Sequence, residues 1–311
     1  MILNAPSSAM NMPAESSPKS LLLVDALALF HRSRSALLRN CGAFSLPDGT
    51  PTTGTFGFTN NFLSVLEKLK PTHVAVVYDA GGNFRKEDTS YKANRAELDT
   101  DFSIERRNLF EHVLPAFGVK TVGIKGYEAD DVIFTMAKAA ADFDKVTILT
   151  CDQDLLQSVG GNIEVMLFNS AKKVVTMDAA AAEEKLGVTP ERIPLLKAIA
   201  GDASDNIPGV RGVGNKTAAK IINECEGDLG KVLMNKKIAQ HAETVTHNLK
   251  LTQSVIVPEA PVDFNEFVLG TGTFQQVDYV LDKFHFSTMK KRRTKILATL
   301  NINDGAKDAV K

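Results

Sequence analysis

A chain of 311 residues with 44% hydrophobic content is long enough to bury one large core or two of ordinary size. It has no apolar run of about 18 residues and no basic-then-apolar amino terminus, so neither a membrane span nor a signal peptide is predicted. The three cysteines lack C-x-x-C spacing, which argues against a disulfide framework and a zinc site. These features predict a soluble cytoplasmic protein, and the net charge of −1 does not by itself suggest a nucleic-acid partner.

The first half of the chain has the pattern of an α/β domain. Residues 1–20 are rich in Ser, Pro, Ala and Met without periodicity and predict a mobile tail. Strands are predicted at 21–25, 74–79, 120–124 and 146–151, with a closing hairpin at 163–168 and 174–177. Helices are predicted from 26 to 38 and at 53–69, 104–117 and 128–143. This alternation predicts a mainly parallel sheet, flanked by helices on both faces, in a core spanning 21–187.

The stretch 84–107 differs from the rest of this half because it is dense in charge and poor in apolar residues. Little apolar surface is available to hold it in a fixed position. We therefore expect a mobile excursion beside the end of the second strand, with an ordinary solvated loop as the alternative.

Three of the predicted strands lead into an acid: the first two end at Asp25 and Asp79, and Asp152 directly follows the fourth. The carboxyl ends of strands in open α/β sheets are where ligands bind. A further group, Glu128, Asp130 and Asp131, begins a predicted helix. Acids there are either a complement to the helix dipole or part of a metal site. The sequence alone leaves both interpretations open, as it does for the Asp152 and Asp154 pair, which is also typical of a turn.

From about residue 188 helical patterns dominate, and a helical subdomain is predicted over 188–300, followed by a tail at 301–311. A glycine-rich turn precedes a helix here, which predicts a helix-hairpin-helix over 202–224. Its glycines expose backbone N–H groups to a phosphate, and Lys216 and Lys220 add charge. A dinucleotide-binding loop is the alternative, but no strand precedes the turn. The basic run 290–293 is most simply a solvated helix face.

Taken in order, the motifs of the chain resemble the 5′ nucleases, which comprise the nuclease domain of bacterial DNA polymerase I and the stand-alone flap endonucleases of phages and bacteria. The resemblance covers residues 21 to about 290. It rests on Leu23-Val24-Asp25, Val77-Tyr78-Asp79, Phe84-Arg85, Tyr91-Lys92-Ala93-Asn94-Arg95, Tyr127-Glu128-Ala129-Asp130-Asp131, Thr150-Cys151-Asp152-Gln153-Asp154-Leu155-Leu156-Gln157 and the run from Gly201 to Gly209.

The resemblance implies a PIN-like core with a helical arch at about 84–107, over an active site with two divalent metal ions. Mg²⁺ is expected, because a ring of carboxylates without His or Cys suits a hard cation, and Mn²⁺ should substitute for it. The implied first cluster is Asp25, Asp79, Glu128, Asp130 and Asp131, and the implied second cluster is Asp152, Asp154, Asp202 and Asp205. Lys92 and Arg95 are the implied catalytic cations at the scissile phosphate. The implied DNA-binding residues are Arg85, Tyr91, Gly209, Gly212, Gly214, Lys216, Thr217 and Lys220, with K⁺ a further implied ion at the hairpin.

The implied activity is two-metal hydrolysis of DNA, as a 5′-3′ exonuclease and flap endonuclease in replication and repair. The expected partners are branched or 5′-ended DNA, including flaps, nicks and RNA–DNA primer junctions, and a replicative polymerase. A monomer without a polymerase domain, acting in the cytoplasm, is expected. Setting aside the nine candidate metal ligands leaves 36 basic against 28 acidic residues, so a surface with neutralised ligands could bind phosphates.

Two other classes remain as alternatives. A module of the same fold could hold branched DNA without cutting it, although the intact acids argue against this. An RNA-specific nuclease of the related acidic-site fold is the second alternative, although such domains generally lack the glycine-rich hairpin.

Overall fold

The computed structural model describes residues 18–94, 98–168 and 174–303. Its centre is a six-stranded sheet in the order β3-β2-β1-β4-β5-β6. The strands are β1 Ser20–Asp25, β2 His73–Val77, β3 Lys120–Val122, β4 Lys145–Thr150, β5 Ile163–Phe168 and β6 Val174–Met177. All neighbours pair in parallel except β5 and β6, which are antiparallel. The predicted mainly parallel sheet with a closing hairpin is confirmed.

The central strand β1 shows why the sheet needs helices on both faces. Leu21 and Leu23 point into one apolar core and Leu22 and Val24 into the other, because successive side chains alternate across a strand. All four are at most 1% exposed. The continuous apolar run in the sequence thus reflects burial on both sides.

Thirteen α-helices surround the sheet within the described residues. They are α1 Ala26–Cys41, α2 Thr53–Leu69, α3 Thr100–Asn108, α4 Leu114–Ala116, α5 Ala129–Ala139, α6 Ala179–Leu186, α7 Ile193–Ala200, α8 Asn215–Glu224, α9 Leu229–Met234, α10 Ala242–Thr252, α11 Phe274–Lys283, α12 Ser287–Lys290 and α13 Arg293–Thr299. A π-helical turn, Leu109–Val113, joins α3 to α4. No helix in the described part of the chain is both long and apolar enough to cross a membrane.

Two apolar clusters divide these helices between the faces of the sheet. Helix α5 and the helices from α6 to α10 share one cluster. Helices α1 to α4 pack in the other together with the C-terminal helices α11 to α13. The helical second half is therefore attached to both faces of the sheet.

The basic run 290–293 has a structural place in this arrangement. Lys290 pairs with Asp282, and Arg293 pairs with Asp278 at 2.9 Å. Arg292 donates to the Asn60 side chain at 2.8 Å. These contacts attach α12 and α13 to α11 and to α2.

The charge-dense stretch after β2 is better anchored than its composition suggested. It begins with a 3₁₀ turn, Phe84–Glu87, and reaches α3 after a turn at 91–94. Arg85, Tyr91 and Phe102 are only 4%, 6% and 2% exposed. The expectation that too little surface is buried to hold this stretch is wrong for these residues, because Arg85 is buried in an ion pair with Asp131 and the rings of Tyr91 and Phe102 are buried.

Candidate active site

Acidic side chains from several elements converge on one cavity of about 590 Å³ at the carboxyl edge of the sheet. The parallel strands β2, β1 and β4 are neighbours, so the loops that follow them meet at this edge. The acids that line the cavity are Asp25, Asp79, Glu128, Asp130, Asp152 and Asp202. The structure thus brings together six of the nine acids predicted as metal ligands.

Asp25 is held rigidly at the end of β1, where it also caps α1. Its Oδ1 accepts from the Ala28 N–H at 3.1 Å, and its Oδ2 accepts from the Thr150 hydroxyl at 2.8 Å. Burial raises the pKa of Asp25 to about 6; the Thr150 hydrogen bond opposes the increase, and the charges of Asp152 and Asp79 add to it.

The amino end of α5 supplies Glu128 and Asp130. Asp79 accepts from the Ala129 N–H at 2.7 Å, which joins the end of β2 to the start of this helix. Burial raises the pKa of Asp130 well above its ordinary value, and the charges of Asp152 and Asp25 raise it further. These carboxylates repel one another, so a bound cation would relieve a real electrostatic cost.

Two lysines pair with acids in and beside the cavity. Lys92 Nζ lies 2.6 Å from Glu128 Oε1 and 3.7 Å from Asp205 Oδ2. Lys197 Nζ contacts Asp154 and lies 2.7 Å from Asp202 Oδ2. Asp154 and Asp205 therefore face lysines at the margin of the cavity rather than lining it.

Lys197 is a site residue that the sequence reasoning missed. Although burial alone would raise the pKa of Asp202, the bonds from Lys197 and Ser204 lower it to about 2. The sequence does contain a feature that points to Lys197: it is the one charged residue in the otherwise apolar helix α7. A lone cation in a buried helix generally has an acidic partner.

The structure corrects the assignment of Asp131 to the metal cluster and of Arg85 to the DNA surface. Arg85 donates to both carboxylate oxygens of Asp131, at 2.6 and 2.9 Å. Asp131 is 0% exposed and Arg85 4% exposed. Adjacent residues on a helix point about 100° apart, so Asp130 faces the cavity while Asp131 faces the interior.

Tyr91 also differs from its prediction as a DNA-binding residue. Its ring is buried, and its hydroxyl lies 3.0 Å from Glu128 Oε2 and 3.2 Å from Asp205 Oδ2. Burial, and next the charge of Glu128, raises the Tyr91 pKa. Tyr91 is thus a neutral donor behind the acids. Its neighbour Lys92 lines the cavity, whereas the predicted catalytic residue Arg95 lies outside the described residues.

The predicted helix-hairpin-helix is built from α7, the loop 201–214 and α8. Gly212, Gly214, Lys216 and Lys220 are exposed and Thr217 is half-buried. A Cβ on Gly214 would meet no atom within 4 Å, so the fold itself does not require glycine there. Among the described residues, no acceptor bonds the N–H of Gly212 or Gly214, and both are available to an external anion.

Gly209 has a different role from the one predicted. A Cβ there would lie 2.2 Å from the Ala200 carbonyl oxygen, so glycine is needed for the backbone of the loop to pack against the end of α7. Gly209 is therefore a packing residue that shapes the hairpin.

A groove of about 620 Å³ meets the acid-lined cavity at Asp79. Arg106 and Arg107 line it beside Tyr78 and Phe110, whose rings are 5.1 Å apart. Within the described ranges neither arginine is paired with a carboxylate. Arg106 and Arg107 have no distinguishing motif in the sequence, because composition alone cannot tell a groove from a solvated helix face.

The donor set suits divalent cations although no preformed cage is present. Among the residues that the structure describes, no three acidic, His or Cys side chains stand close enough together to form a metal cage. Lys92 and Lys197 account for this, since each holds acids that would otherwise be free to ligate. Cys151 and His31 also line the cavity, but burial raises the pKa of the Cys151 thiol to about 12, so it stays protonated. Carboxylates therefore dominate the donor set, and they are the ligands that Mg²⁺ and Mn²⁺ prefer.

Comparisons with known proteins agree with this architecture. A family model described as the 5'-3' exonuclease N-terminal resolvase-like domain matches residues 20–187, and one described as the 5'-3' exonuclease C-terminal SAM fold matches 188–268. The 5'-3' exonuclease of Bacillus subtilis (strain 168) is 38% identical over 214 residues, which are 66% of this chain and 70% of the relative.

Longer relatives and solved structures extend the comparison. DNA polymerase I of Synechocystis sp. is 34% identical over 288 residues, covering 86% of this chain and 29% of the polymerase. The chain therefore spans less than a third of the polymerase's length. T5 5'-exonuclease, solved with divalent metal ions (zinc), superposes with a TM-score of 0.61 at 22% identity, covering 91% of this chain and all of that one. The catalytic core of Rad2 in complex with DNA substrate has a TM-score of 0.55 at 18% identity, and the match covers 91% of this chain and 92% of the Rad2 chain.

The protein is thus a mainly parallel α/β protein with an acid-lined cavity at the carboxyl edge of its sheet. Both family models match in sequence order and together cover most of the chain. The chain belongs to the 5'-3' exonuclease family.

Proposed function

We propose that this protein is a structure-specific DNA nuclease with 5′-3′ exonuclease and 5′ flap endonuclease activity, dependent on divalent cations. The observation that carries the proposal is the convergence of acids from β1, β2, α5 and β4 on one cavity, with raised pKa values at Asp25 and Asp130. Such crowding is costly without a function and is typical of catalytic sites.

Mg²⁺ is the cation that we propose, with Mn²⁺ as a substitute. Asp25, Asp79, Glu128 and Asp130 would hold one ion, and Asp152, Asp154, Asp202 and Asp205 would hold the second. When bound, a pair of ions would promote deprotonation of the attacking water and stabilise the leaving 3′ oxygen. K⁺ at the hairpin remains a further proposal.

The chain's own residues bind and orient the reacting strand. Lys92 and Lys197 are held by acids in the metal-free protein, and cations bound to those acids would free both ammonium groups for the scissile phosphate. Lys92 lies in the segment that docks on the 202–206 loop, because its own N–H donates to the Asp205 carbonyl at 2.9 Å. The position of Lys92 thus depends on the same loop that carries two candidate ligands.

DNA would contact two surfaces on either side of the cavity. The Gly212 and Gly214 N–H groups with Lys216 and Lys220 would bind the phosphates of a duplex arm, without reading its sequence. The groove with Arg106 and Arg107 would bind the strand on the 5′ side of the cut, using phosphate charge and stacking on Phe110. Asp79 lies where this groove meets the cavity, so a DNA strand that runs from the groove into the cavity would pass the acidic side chains.

Cleavage of labelled 5′ flap, nicked and single-stranded substrates tests the proposal. We expect cutting of the flap with Mg²⁺ or Mn²⁺ and none in EDTA, and no cleavage by Asp130→Ala or Asp152→Ala. Undiminished cleavage by both variants would refute the metal assignment. Tight flap binding without cleavage would indicate a branched-DNA-binding module instead, and cleavage of RNA alone an RNA-specific nuclease.

The biological setting that we propose is removal of RNA primers and flaps in replication, and repair, by a cytoplasmic monomer acting near a replicative polymerase. Bacillus subtilis 5'-3' exonuclease and the polymerase relatives support this setting by similarity. Sedimentation of the pure protein would test the monomer. Co-purification with the host polymerase would test the partner.

A further inference from the structure

The buried pair of Arg85 and Asp131 lies directly behind the catalytic cavity. Arg85 belongs to the 3₁₀ turn Phe84–Glu87, and Asp131 to the first turn of α5. Two parallel hydrogen bonds of 2.6 and 2.9 Å join them. A bidentate pair of this kind fixes orientation as well as distance.

The other bonds of the pair reach the last turn of α10 and the segment that follows this helix. Arg85 Nε donates to the Leu251 carbonyl at 2.9 Å, and its Nη2 donates to the Gln253 carbonyl at 2.7 Å. Asp131 Oδ1 accepts from the Val255 N–H at 3.0 Å. The pair thus joins the segment after β2, helix α5 and the helical second half at one point.

Glu128 is a candidate ligand that contacts both members of this pair. Arg85 Nη1 is 3.6 Å from Glu128 Oε2, and Asp131 Oδ2 accepts from the Glu128 N–H at 3.3 Å. Glu128 also lines the catalytic cavity. A buried guanidinium needs a carboxylate partner. Among the described residues, Asp131 and Glu128 are the two carboxylates within 4 Å of Arg85.

We propose that Asp131 is a positioning residue: by holding Arg85, it leaves the Glu128 carboxylate free to bind a divalent cation in the cavity. This inference rests on the proposed function. Without Asp131, Arg85 would pair with Glu128 and draw that carboxylate away from the cavity. Asp131 therefore acts on the cation through another side chain, although its motif suggested a direct ligand.

The test compares Asp131→Asn, Arg85→Gln and the double variant, because Gln and Asn retain partners for the backbone groups at 251–255. Mn²⁺ binding without DNA is measured by electron paramagnetic resonance, and thermal unfolding is followed in EDTA. Asp131→Asn should weaken Mn²⁺ binding by about 10-fold or more, the usual effect of losing a supporting residue of a metal site. The double variant should recover affinity to within about 3-fold of wild type, since no guanidinium is left to capture Glu128.

The other outcomes are equally decisive. If the double variant stays as weak as Asp131→Asn, Asp131 is a direct ligand and the proposal is wrong. If every variant binds Mn²⁺ as wild type does and differs only in unfolding temperature, the pair is merely structural. Should Asp131→Asn fail to fold, the double variant is compared with Arg85→Gln, and a 10-fold difference between them contradicts the proposal.

Two controls separate this inference from the proposed function. Glu128→Gln should lose affinity whether or not Arg85 is replaced. Asp144→Asn lies just before β4, at the amino end of the strands and so away from the cavity, and should bind Mn²⁺ normally. If the wild type itself binds no Mn²⁺, the proposed function fails; if it binds and the double variant is not rescued, only the role of Asp131 fails.

Discussion

Lys92 Nζ lies 2.6 Å from Glu128 Oε1, so a candidate catalytic cation and a candidate metal ligand neutralise each other in this structure. Burial alone would lower the pKa of Lys92, but Glu128 and Asp205 raise it, and the ammonium stays protonated at neutral pH. Binding of a metal by Glu128 would release that charge. The pair therefore links metal binding to the availability of Lys92.

Lys92→Ala should reduce the rate of single-turnover flap cleavage about 100-fold or more, because a preorganised positive charge is lost from the transition state. Flap affinity measured in Ca²⁺ should change far less, since many phosphate contacts remain. Lys120→Ala, at the exposed start of β3, is the control and should leave both quantities unchanged. Equal losses of rate and affinity would show that Lys92 only binds DNA.

Gly214→Val should weaken binding to the duplex arm while leaving the free energy of unfolding nearly unchanged. A side chain at Gly214 meets open space in the protein but would block the approach of a phosphate to the N–H groups. Cleavage at saturating enzyme should stay close to normal.

Gly209→Ala should do the opposite and destabilise the fold, because its Cβ would collide with the Ala200 carbonyl. Fluorescence anisotropy and urea unfolding distinguish the two; normal DNA affinity of Gly214→Val would contradict the hairpin assignment.

Asp25 should make the metal-free protein less stable as the pH rises. Its pKa is raised to about 6 in the folded state from 3.8, so the folded state favours the protonated acid. Its contribution to the free energy of unfolding is then fully present below pH 4 and falls by up to about 3 kcal/mol between pH 4 and 6. Urea unfolding in EDTA should show this decrease relative to Asp25→Asn, which cannot ionise. A constant difference between the two proteins across this pH range would exclude the raised pKa.

Lys197→Met should tighten binding of Mn²⁺ by about 10-fold, because the ammonium group competes with a cation for Asp202 and Asp154. Calorimetric titration of the DNA-free protein measures the effect, with Lys185→Met on the exposed face of α6 as the control. Weaker binding in the variant would mean instead that Lys197 holds the two acids in place for the ion.

Replacing Lys290 and Arg293 by Gln should leave DNA affinity unchanged, since both side chains are paired with acids of α11. Each pair is partly exposed, and its loss should cost less than about 1 kcal/mol of unfolding free energy. Lys216→Gln serves as the comparison that should lower affinity. A similar fall in both variants would show that the basic run 290–293 contacts DNA.

Local sequence patterns were sufficient to predict most strands and helices of the α/β core. Helix α2 is predicted at 53–69 and observed over Thr53–Leu69. Strand β1 begins one residue earlier than predicted, and β4 both begins and ends one residue earlier. These elements are defined by apolar runs and by punctuating Pro residues, so their signals lie within the segment itself. The acids after β1, β2 and β4 could be assigned to one site because parallel strands end at a common edge.

The roles of individual residues in the site depend on partners that are distant in sequence. Asp130 and Asp131 are neighbours of the same type, and only the position of Arg85, 46 residues away, shows that one faces the cavity and the other is buried in an ion pair. Tyr91 and Lys197 likewise acquire their roles from acids that the fold brings to them. The sequence by itself determined which acids are available and at which edge of the sheet they lie, because β strands and helices are encoded locally. Tertiary structure alone decided which of those acids line the cavity, because burial and charge pairing depend on contacts between remote segments.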